Sequence, residues 1–578
     1  MPQLITVVFL VTAIIGLYSG RGRPAYWFMA AAMGLYLSGV LTLPEALSGL
    51  VNEGVVTLAV LMVIADRIQD SGLLDRPIQA LLNRINKSQG GTLNLLIPVA
   101  LLSGFLNNTP IVVMLVHPVR EWALRQGVPP SRFLLPLSYA AIIGGTLTLV
   151  GTSTNLVVYG LLNELAASHT LTLFSPALVG LPLLLVFFMY VTFAGRFLPN
   201  RTANDTRPKS VTEFQIPARA GETLHNLSIS EAGLRHLKHG YLYRLLRDDE
   251  WQEAGADTRL KRGDRLVFLG TPALIQELSL VAGIDFSQEA HRPSSASTHV
   301  LEAVVPMGSE LIGRTPKELG FRKRYGSVIV SVAHQTEQLF GKLGEYRFQA
   351  GDLLLLESLS NNSLPPSAEL MVLNRYQSAR PPRDQKRAYA LLFAFPMMVM
   401  GGSLLGFALL HIALMYLGLC LLLGLARPGN LSKGLDAQLF GLLIGALALA
   451  TAVEKTGLAH GLVGQFVDWQ LPAWLAVLFI FLATWLITEL LTNNSAAALM
   501  LPFALPFGEL SGLSVEQVAV TVMMAASSSF VTPFGYQTNL MVLSAGNYRP
   551  LDYLRFGGPL VVIVAVLTTA LVSTAMAL

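Results

Sequence analysis

The sequence predicts a polytopic α-helical membrane protein: an inverted repeat with two re-entrant hairpins and two broken helices, interrupted by a cytoplasmic α+β insert. Composition is the first reason. Of 578 residues, 52% are hydrophobic and 13% charged, whereas about a quarter of a soluble domain is charged. The charge is also segregated, since residues 200–387 hold 25 of the 40 Lys and Arg and 22 of the 36 Asp and Glu. Duplication is the second reason, and it is settled before any element is assigned. LNNTP (106–110) and GTSTNL (151–156) return as TNNSA (492–496) and GYQTNL (535–540). Matched letter by letter, Asn107, Asn108 and Thr109 lie 386 residues before Asn493, Asn494 and Ser495. Gly151, Thr154, Asn155 and Leu156 lie 384 before Gly535, Thr538, Asn539 and Leu540, and Gly72 lies 385 before Gly457. The third reason is the opposite placement of positive charge around equivalent segments of the two halves.

Taken in order, MPQLITVVFLVTAIIGLYS lacks a basic n-region and a small-residue cleavage pattern, so a retained helix is expected rather than a signal peptide. Apolar runs at 4–18, 25–42 and 54–70 predict spans. At 73–87, Leu73, Leu74, Ile78, Leu81, Leu82 and Ile85 share one face, as in a helix lying along the interface. Arg67, Arg76, Arg84 and Lys87 put this end in the cytoplasm. Runs at 92–104 and 110–124 flank LNNTP. Thirteen residues at about 1.5 Å each cover roughly 20 Å, short of the roughly 30 Å hydrocarbon core. Arg120, Arg125 and Arg132 then return the chain to the basic side. A re-entrant hairpin fits better than two spans joined by a wet turn. Residues 133–165 cross with a break at 151–155 and 174–195 cross back, with Arg196, Arg201 and Arg207 on the cytoplasmic side.

In the second half, 388–405, 409–426 and 436–453 predict spans, and 457–470 stands where the interfacial helix stood. Lys455 is the only Lys or Arg between 454 and 472, so this segment faces the opposite side and the repeat is inverted. A hairpin at 473–507, a broken helix at 514–545 and an exit span at 557–577 complete the half, with Arg549 and Arg555 inside. Ten spans and two hairpins leave both termini outside. The insert is itself duplicated: KRGDRLVFLG (261–270) and QAGDLLLLES (349–358) set Gly263 and Gly351 88 apart, and Leu224 and Leu311 are 87 apart. SQEAHRPSSAST (287–298) reads as the linker. The expected domains are 1–199, 208–286, 298–376 and 387–578.

These features exclude several classes. No GxGxxG or Walker A run, triad or metal-ligand spacing occurs, and the lone Cys420 sits in an apolar run, so no enzyme is expected. A net charge of +4 reflects loops and is no nucleic-acid footprint. The two polar tips carry the chemistry instead. Irregular backbone at membrane depth is tolerated only where protein or a water-filled cavity satisfies it, and paired interruptions in inverted halves point to a transport site near the midplane. Asn carbonyls, hydroxyls and free backbone carbonyls are hard ligands for an alkali cation, and half-helix N-termini suit an anion. Thr109 before Pro110 reads as an N-cap, Ser495 can cap the second tip, and Asn155 and Asn539 sit where the broken helices restart. No Arg or Lys stands in either tip or break, so a bound anion would need co-bound cations. The plainer alternative for an Asn pair is a polar turn or interhelical glue. Ser103, one turn before Asn107, adds a hydroxyl or bonds back to its helix. Glu489 stands at the matching place under the 386 offset, as a cation ligand, a proton carrier or a hydrogen-bonded structural group. His117 reads as a packed residue and Ser527–Ser529 as a close-packing run.

The tips and breaks resemble the divalent anion/sodium symporter family of the larger ion transporter superfamily, whose members share inverted repeats and Ser-Asn-Thr tips. Here the tips read Asn107-Asn108-Thr109 and Asn493-Asn494-Ser495, departing from Ser at the first position. GTSTNL, with an insert that resembles paired TrkA-C (RCK C-terminal) modules, looks closest to the sulfate-permease-like branch. The resemblance covers essentially the whole chain. It implies one sodium site at Ser103, Asn107, Asn108 and the Gly151 backbone, and a second at Asn493, Asn494 and the backbone near Gly535, with Glu489 in place of a hydroxyl. It implies Asn108, Thr109, Thr154, Asn155, Asn494, Ser495, Thr538 and Asn539 around the anion. It further implies sodium-coupled symport of a small divalent anion, sulfate, by an elevator-type motion of a homodimer in a bacterial inner (plasma) membrane. A dicarboxylate symporter and a sodium/proton antiporter using Glu489 are the alternatives on this scaffold. A different class is a ligand-sensing membrane protein gated by the insert, which would bind a nucleotide or dinucleotide.

Overall fold

The computed structural model describes residues 1–18, 24–70, 89–166, 171–201, 215–235, 237, 240–247, 250–253, 257–270, 274, 277–278, 281–285, 299–334, 337–340, 343–358, 369–375, 394–402, 405–423, 435, 437–465 and 471–574. The expected interfacial helix at 73–87 and the linker at 287–298 lie outside them. The chain divides into two compact units, residues 1–202 with 379–578, and residues 203–378.

In the first unit the first half contributes α1 (Pro2–Tyr18), α2 (Pro24–Leu37), α3 (Glu53–Asp70), α4 (Gln89–Ser103), α5 (Asn108–Arg125), α6 (Leu134–Gly145), α7 (Ser153–Leu165) and α8 (Ala177–Ala194). The second contributes α9 (Leu409–Leu422), α10 (Ala437–Lys455), α11 (Ala473–Leu490), α12 (Asn493–Leu510), α13 (Val515–Ser527), α14 (Gln537–Ala545) and α15 (Pro550–Thr574). The packing repeats along with the order. α4 lies on α6, and its mate α11 lies on α13. Across the halves, α5 packs on α14 while α12 packs on α7, and α2 packs on α10 while α9 packs on α3. Each half therefore completes the other.

Segments 177–197, 437–455, 473–490 and 550–574 are long and apolar enough to cross a membrane. One of them, 473–490, is an arm of the expected second hairpin, whereas neither arm of the first is among them. The four arms α4, α5, α11 and α12 have 15, 18, 18 and 18 residues, and 18 residues at about 1.5 Å reach roughly 27 Å. α4 and α5 start before the apolar runs at 92–104 and 110–124, with polar residues in their first turns. The exit helix does the same, beginning at Pro550 and not in the apolar run. Asp552 in its first turn accepts from the Arg549 backbone N–H at 2.7 Å and takes a two-pronged bond from Arg201 at 2.7 and 3.1 Å. That pairing lets two charges sit at the helix start.

Among its described residues the insert holds two antiparallel five-stranded sheets. Strands β1 (Gln215–Ala220), β2 (Gly240–Arg247), β3 (Glu250–Glu253), β4 (Arg265–Gly270) and β5 (Ile284–Asp285) lie in the order β3-β2-β4-β1-β5. Strands β6 (His299–Val304), β7 (Ser327–His334), β8 (Glu337–Phe340), β9 (Leu353–Ser358) and β10 (Met371–Arg375) lie in the order β10-β6-β9-β7-β8. Replacing each strand by its counterpart makes the two orders identical. Each module buries its own core, around Leu245, Leu266 and Phe268 in one and Leu354, Leu356 and Phe348 in the other. The Gly-Asp pairs turn the chain into β4 and β9. Gly263 and Gly351 have φ of 86° and 85°, a left-handed conformation that glycine adopts without a Cβ penalty. The following Asp accepts from the residue three before it, Lys261 N or Gln349 N, at 2.8 Å. Asp264 is then bound by Arg247 at 2.7 Å, whereas Asp352 is bound by His334 at 2.6 Å.

Candidate transport site

The first tip forms where α4 ends and α5 begins. Asn107 is the N-cap and helical geometry starts at Asn108, so Thr109 and Pro110 lie inside the first turn rather than ahead of it. The second tip starts likewise, with Thr492 as N-cap; its side chain accepts from Ser495 N at 3.3 Å. Ser495 is fully buried with its hydroxyl 2.8 Å from Thr492 Oγ1, so it serves the cap and is not itself the N-cap.

Hydrogen bonds fix the repeat register. Ser103 Oγ stands within bonding distance of Asn108 Oδ1 and of the Ala141 carbonyl at 2.8 Å. Thr488 Oγ1 repeats both contacts, with Asn493 Oδ1 at 3.0 Å and the Ala526 carbonyl at 2.8 Å. All three pairs are 385 residues apart, so the tip offset of 386 read from like letters is wrong by one. The mate of Ser103 is Thr488, and Glu489 is the mate of Gly104. The doubled Asn in each tip permits this slip without a mismatch in the letters.

The breaks match at 384. Thr148 Oγ1 accepts from Gly151 N at 3.1 Å and binds the Gly104 carbonyl. Thr532 Oγ1 accepts from Gly535 N at 3.2 Å and donates to Glu489 Oε2 at 2.7 Å. Glu489 also accepts from Val531 N at 3.0 Å and Thr532 N at 3.1 Å. In the second half a carboxylate thus does what a backbone carbonyl does in the first. Asn155 and Asn539 both hold their loops, donating to the Thr148 carbonyl at 2.8 Å and the Ser529 carbonyl at 2.7 Å. Asn539 Oδ1 and Thr538 Oγ1 lie 2.7 and 2.9 Å from Ser138 Oγ.

Gly151 and Gly535 stand where the chain passes closest to the tips. A Cβ on Gly151 would meet the Gly145 and Ser103 carbonyl oxygens at 2.5 and 2.7 Å. One on Gly535 would meet Ser529 Oγ at 1.9 Å and the Thr488 carbonyl at 3.1 Å. Among the described residues, Ser529 Oγ, Ser527 Oγ and Asn155 Oδ1 are buried oxygens without a hydrogen-bond partner, and such groups call for an explanation.

The tips also reach across the halves. Thr109 Oγ1 donates to Gln537 Oε1 at 3.4 Å, and Asn494 Oδ1 accepts from Ser153 Oγ at 3.2 Å and Thr154 Oγ1 at 3.1 Å. Asn108 Nδ2 donates to the Tyr536 hydroxyl at 2.6 Å, which lies 3.2 Å from Thr152 Oγ1. Asn107 and Ser153 line a small pocket of about 30 Å³ whose other walls are apolar, among them Leu58, Leu61 and Phe395. Thr488, Thr152, Ser153, Tyr536 and Gln537 were not singled out from sequence. A lone hydroxyl in an apolar helix carries no pattern, and a tyrosine there reads as packing. The GTSTNL–GYQTNL alignment could have flagged positions 152, 153, 536 and 537.

Two overlapping stretches, residues 6–417 and 403–577, match the citrate transporter (CitMHS) family. The chain belongs to this family. It is an integral membrane transporter, and several proteins are similar to it along nearly its whole length. A putative sulfur deprivation response regulator of Chlamydomonas reinhardtii is 31% identical over 93% of this chain and 96% of its own. An uncharacterized transporter of Synechocystis is 30% identical over 93% of this chain and 91% of its own. Sodium/sulfate cotransporter 1 of Chlamydomonas reinhardtii is 22% identical over 96% of this chain and 88% of its own. Around the transporter's tips and breaks the oxygens are those of Asn, Ser, Thr, Tyr, Gln and backbone groups, with Glu489 the carboxylate.

Proposed function

We propose that this transporter is a secondary active symporter that moves a small divalent anion, sulfate, together with sodium ions. The observation that carries the reading is the reciprocal crossing of tips and breaks. Thr109 meets the second-half restart and Asn494 meets the first, so each tip lies against the helix N-terminus of the other half. Such N-termini favour an anion without a fixed positive side chain. The first sodium is assigned to Ser103, Asn107, Asn108 and the backbone at Gly151. The second is assigned to Asn493, Asn494 and the backbone at Gly535, with Thr488 and the free Ser529 hydroxyl beside them. The hydroxyls of Thr109, Thr154 and Thr538 and the carboxamide of Asn494 are the anion's partners, while Asn155, Asn539 and Ser495 hold the site from behind. Sulfate is favoured by the names of the cotransporter relatives. A dicarboxylate or citrate, in keeping with the family's name, is the competing substrate.

Alternating access is assigned to an elevator-type motion of the two hairpins and breaks against α2, α3, α9 and α10, in a homodimer in a bacterial inner (plasma) membrane. The insert is assigned to the cytoplasm as two TrkA-C-like modules that bind a nucleotide or dinucleotide and set the rate. Glu489, occupied by three donors from residues 531–532, is assigned a structural role rather than proton exchange. The test is uptake into proteoliposomes of labelled sulfate, succinate and citrate, with and without a sodium gradient. Sodium-driven sulfate uptake supports the reading. Sodium-driven pH change without anion uptake replaces it by antiport, and loss of substrate dependence on deleting the insert replaces it by a ligand sensor.

A further inference from the structure

Tyr536 is the N-cap of α14 and one of the bulkiest side chains near the polar tips, only 9% exposed. Its repeat mate, Thr152, is the N-cap of α7. The two caps meet: the phenol oxygen lies 3.2 Å from Thr152 Oγ1 and accepts from Asn108 Nδ2 at 2.6 Å. One oxygen from the second half thus joins the first tip to the first break. The contact also decides which way the Asn108 carboxamide points. With Nδ2 committed to the phenol, Oδ1 faces Ser103 Oγ and lies against Gly145, where a Cβ would come within 2.4 Å of it. The Ser103 and Gly145 carbonyl oxygens surround Gly151 in the same place. In this orientation the amide oxygen joins that group of oxygens, while the amide nitrogen is turned away from it toward the phenol.

We infer that Tyr536 is a positioning residue for the first cation site: it holds the Asn108 oxygen toward the cation from the opposite half, so that binding of sodium in one half depends on the helix restart of the other. The inference rests on the sodium-coupled reading above and adds to it a source of coupling between the halves. It gives a role to the tyrosine that stands where the other half has Thr152.

The experiment compares Tyr536→Phe, which keeps the ring, with the wild type in two measurements. One is the sodium dependence of anion uptake into proteoliposomes, and the other is the rise in Tm of the purified protein on adding sodium without anion. The expected result is a several-fold increase in the sodium concentration for half-maximal uptake and a lower Hill coefficient. The sodium-induced Tm shift should shrink, while the anion KM at saturating sodium stays as in the wild type. A role confined to packing would lower Tm equally with and without sodium. Should Tyr536→Phe fail to fold, Thr152→Val releases the phenol from its other side and should shift the sodium requirement in the same direction by about two-fold. An unchanged sodium curve in the variant that folds, or a change only in anion KM at saturating sodium, overturns the inference alone. A wild type indifferent to sodium in both measurements overturns it together with the sodium-coupled reading.

Discussion

The two halves build the same cage from different material, and the difference separates what the cage needs from what merely fills it. Both need a hydroxyl that binds the tip asparagine, from Ser103 and Thr488, and a threonine that caps the break, Thr148 and Thr532. Both need a glycine at the closest approach, 151 and 535. What varies lies behind these groups. The first half presents backbone, the Gly145 and Gly104 carbonyls, where the second presents the Ser529 and Glu489 side chains. Backbone cannot rotate away and a side chain can, so the first half should be the less forgiving.

The largest expected effect tests the shared part. Asn108→Ala and Asn493→Ala each remove the carbonyl that the hydroxyl and cation share, leaving buried partners unpaired at about 1–3 kcal/mol. Uptake should fall at least about ten-fold in both, measured at fixed protein in liposomes. A loss in one variant only would mean that the halves are not equivalent in function. Next comes the asymmetry. Gly151→Ala forces a Cβ onto two backbone oxygens at 2.5 and 2.7 Å, whereas Gly535→Ala meets chiefly the Ser529 hydroxyl. The first should lose about 3 kcal/mol of stability and the second about 1, with Ser529→Gly restoring Gly535→Ala but unable to help Gly151→Ala. Thermal unfolding in detergent reads both, and equal losses would remove the distinction between rigid and yielding neighbours.

Glu489→Gln probes the carboxylate that has no partner in the first half. A carboxamide offers one acceptor oxygen to three donors, so a loss of about 1–2 kcal/mol in stability is expected, with sodium-driven uptake retained at reduced rate. Retained anion uptake with loss of any sodium-linked pH change would instead give Glu489 the exchange role. The smallest effect lies in the insert, where the modules repeat the contrast: a permanently charged Arg247 holds Asp264, while His334 holds Asp352. Burial pushes the Asp352 carboxyl above the usual carboxylate value, and the bonds from Gln349 N–H and His334 offset this only in part. A raised carboxyl favours the fold while protonated, so its contribution is full below the ordinary value and is lost as pH rises through the folded one. Hydrogen exchange around 349–353, corrected for intrinsic rates, should therefore show protection falling with rising pH over that window, and Asp352→Asn should flatten the slope.

Much of the site was legible as a list of letters. Two Asn-rich tips and two G-x-x-T-N-L restarts stand out because polar residues in apolar helices are few, and their near-constant spacing exposes the duplication. The partners of those letters were not legible. Thr488 is hidden because a threonine in AWLAVLFIFLATWLITEL contrasts little with its neighbours, and the 386 offset hid it further by aligning Glu489 with Ser103. Tyr536 and Gln537 fall in positions where the two copies differ, so comparison of the copies set them aside. Helix ends were not legible for a related reason. An apolar run marks where a helix would be comfortable in lipid, but its ends are set by hydrogen bonds such as the Thr492 cap, and these extend the arms beyond the run.

By itself the sequence determined that the chain is mostly apolar with one charged insert, that it is duplicated, and that polar tips interrupt the apolar helices of both copies. These are properties of composition and spacing along the chain. The tertiary structure alone decided the register of the copies and which groups complete each cage. Those outcomes depend on hydrogen bonds between side chains from different helices, such as Ser103 to the Ala141 carbonyl for the register, or Thr152 and Asn108 to Tyr536 for the cage. A bond of that kind is a matter of direction and about 3 Å of distance, and neither leaves a trace in the order of the residues.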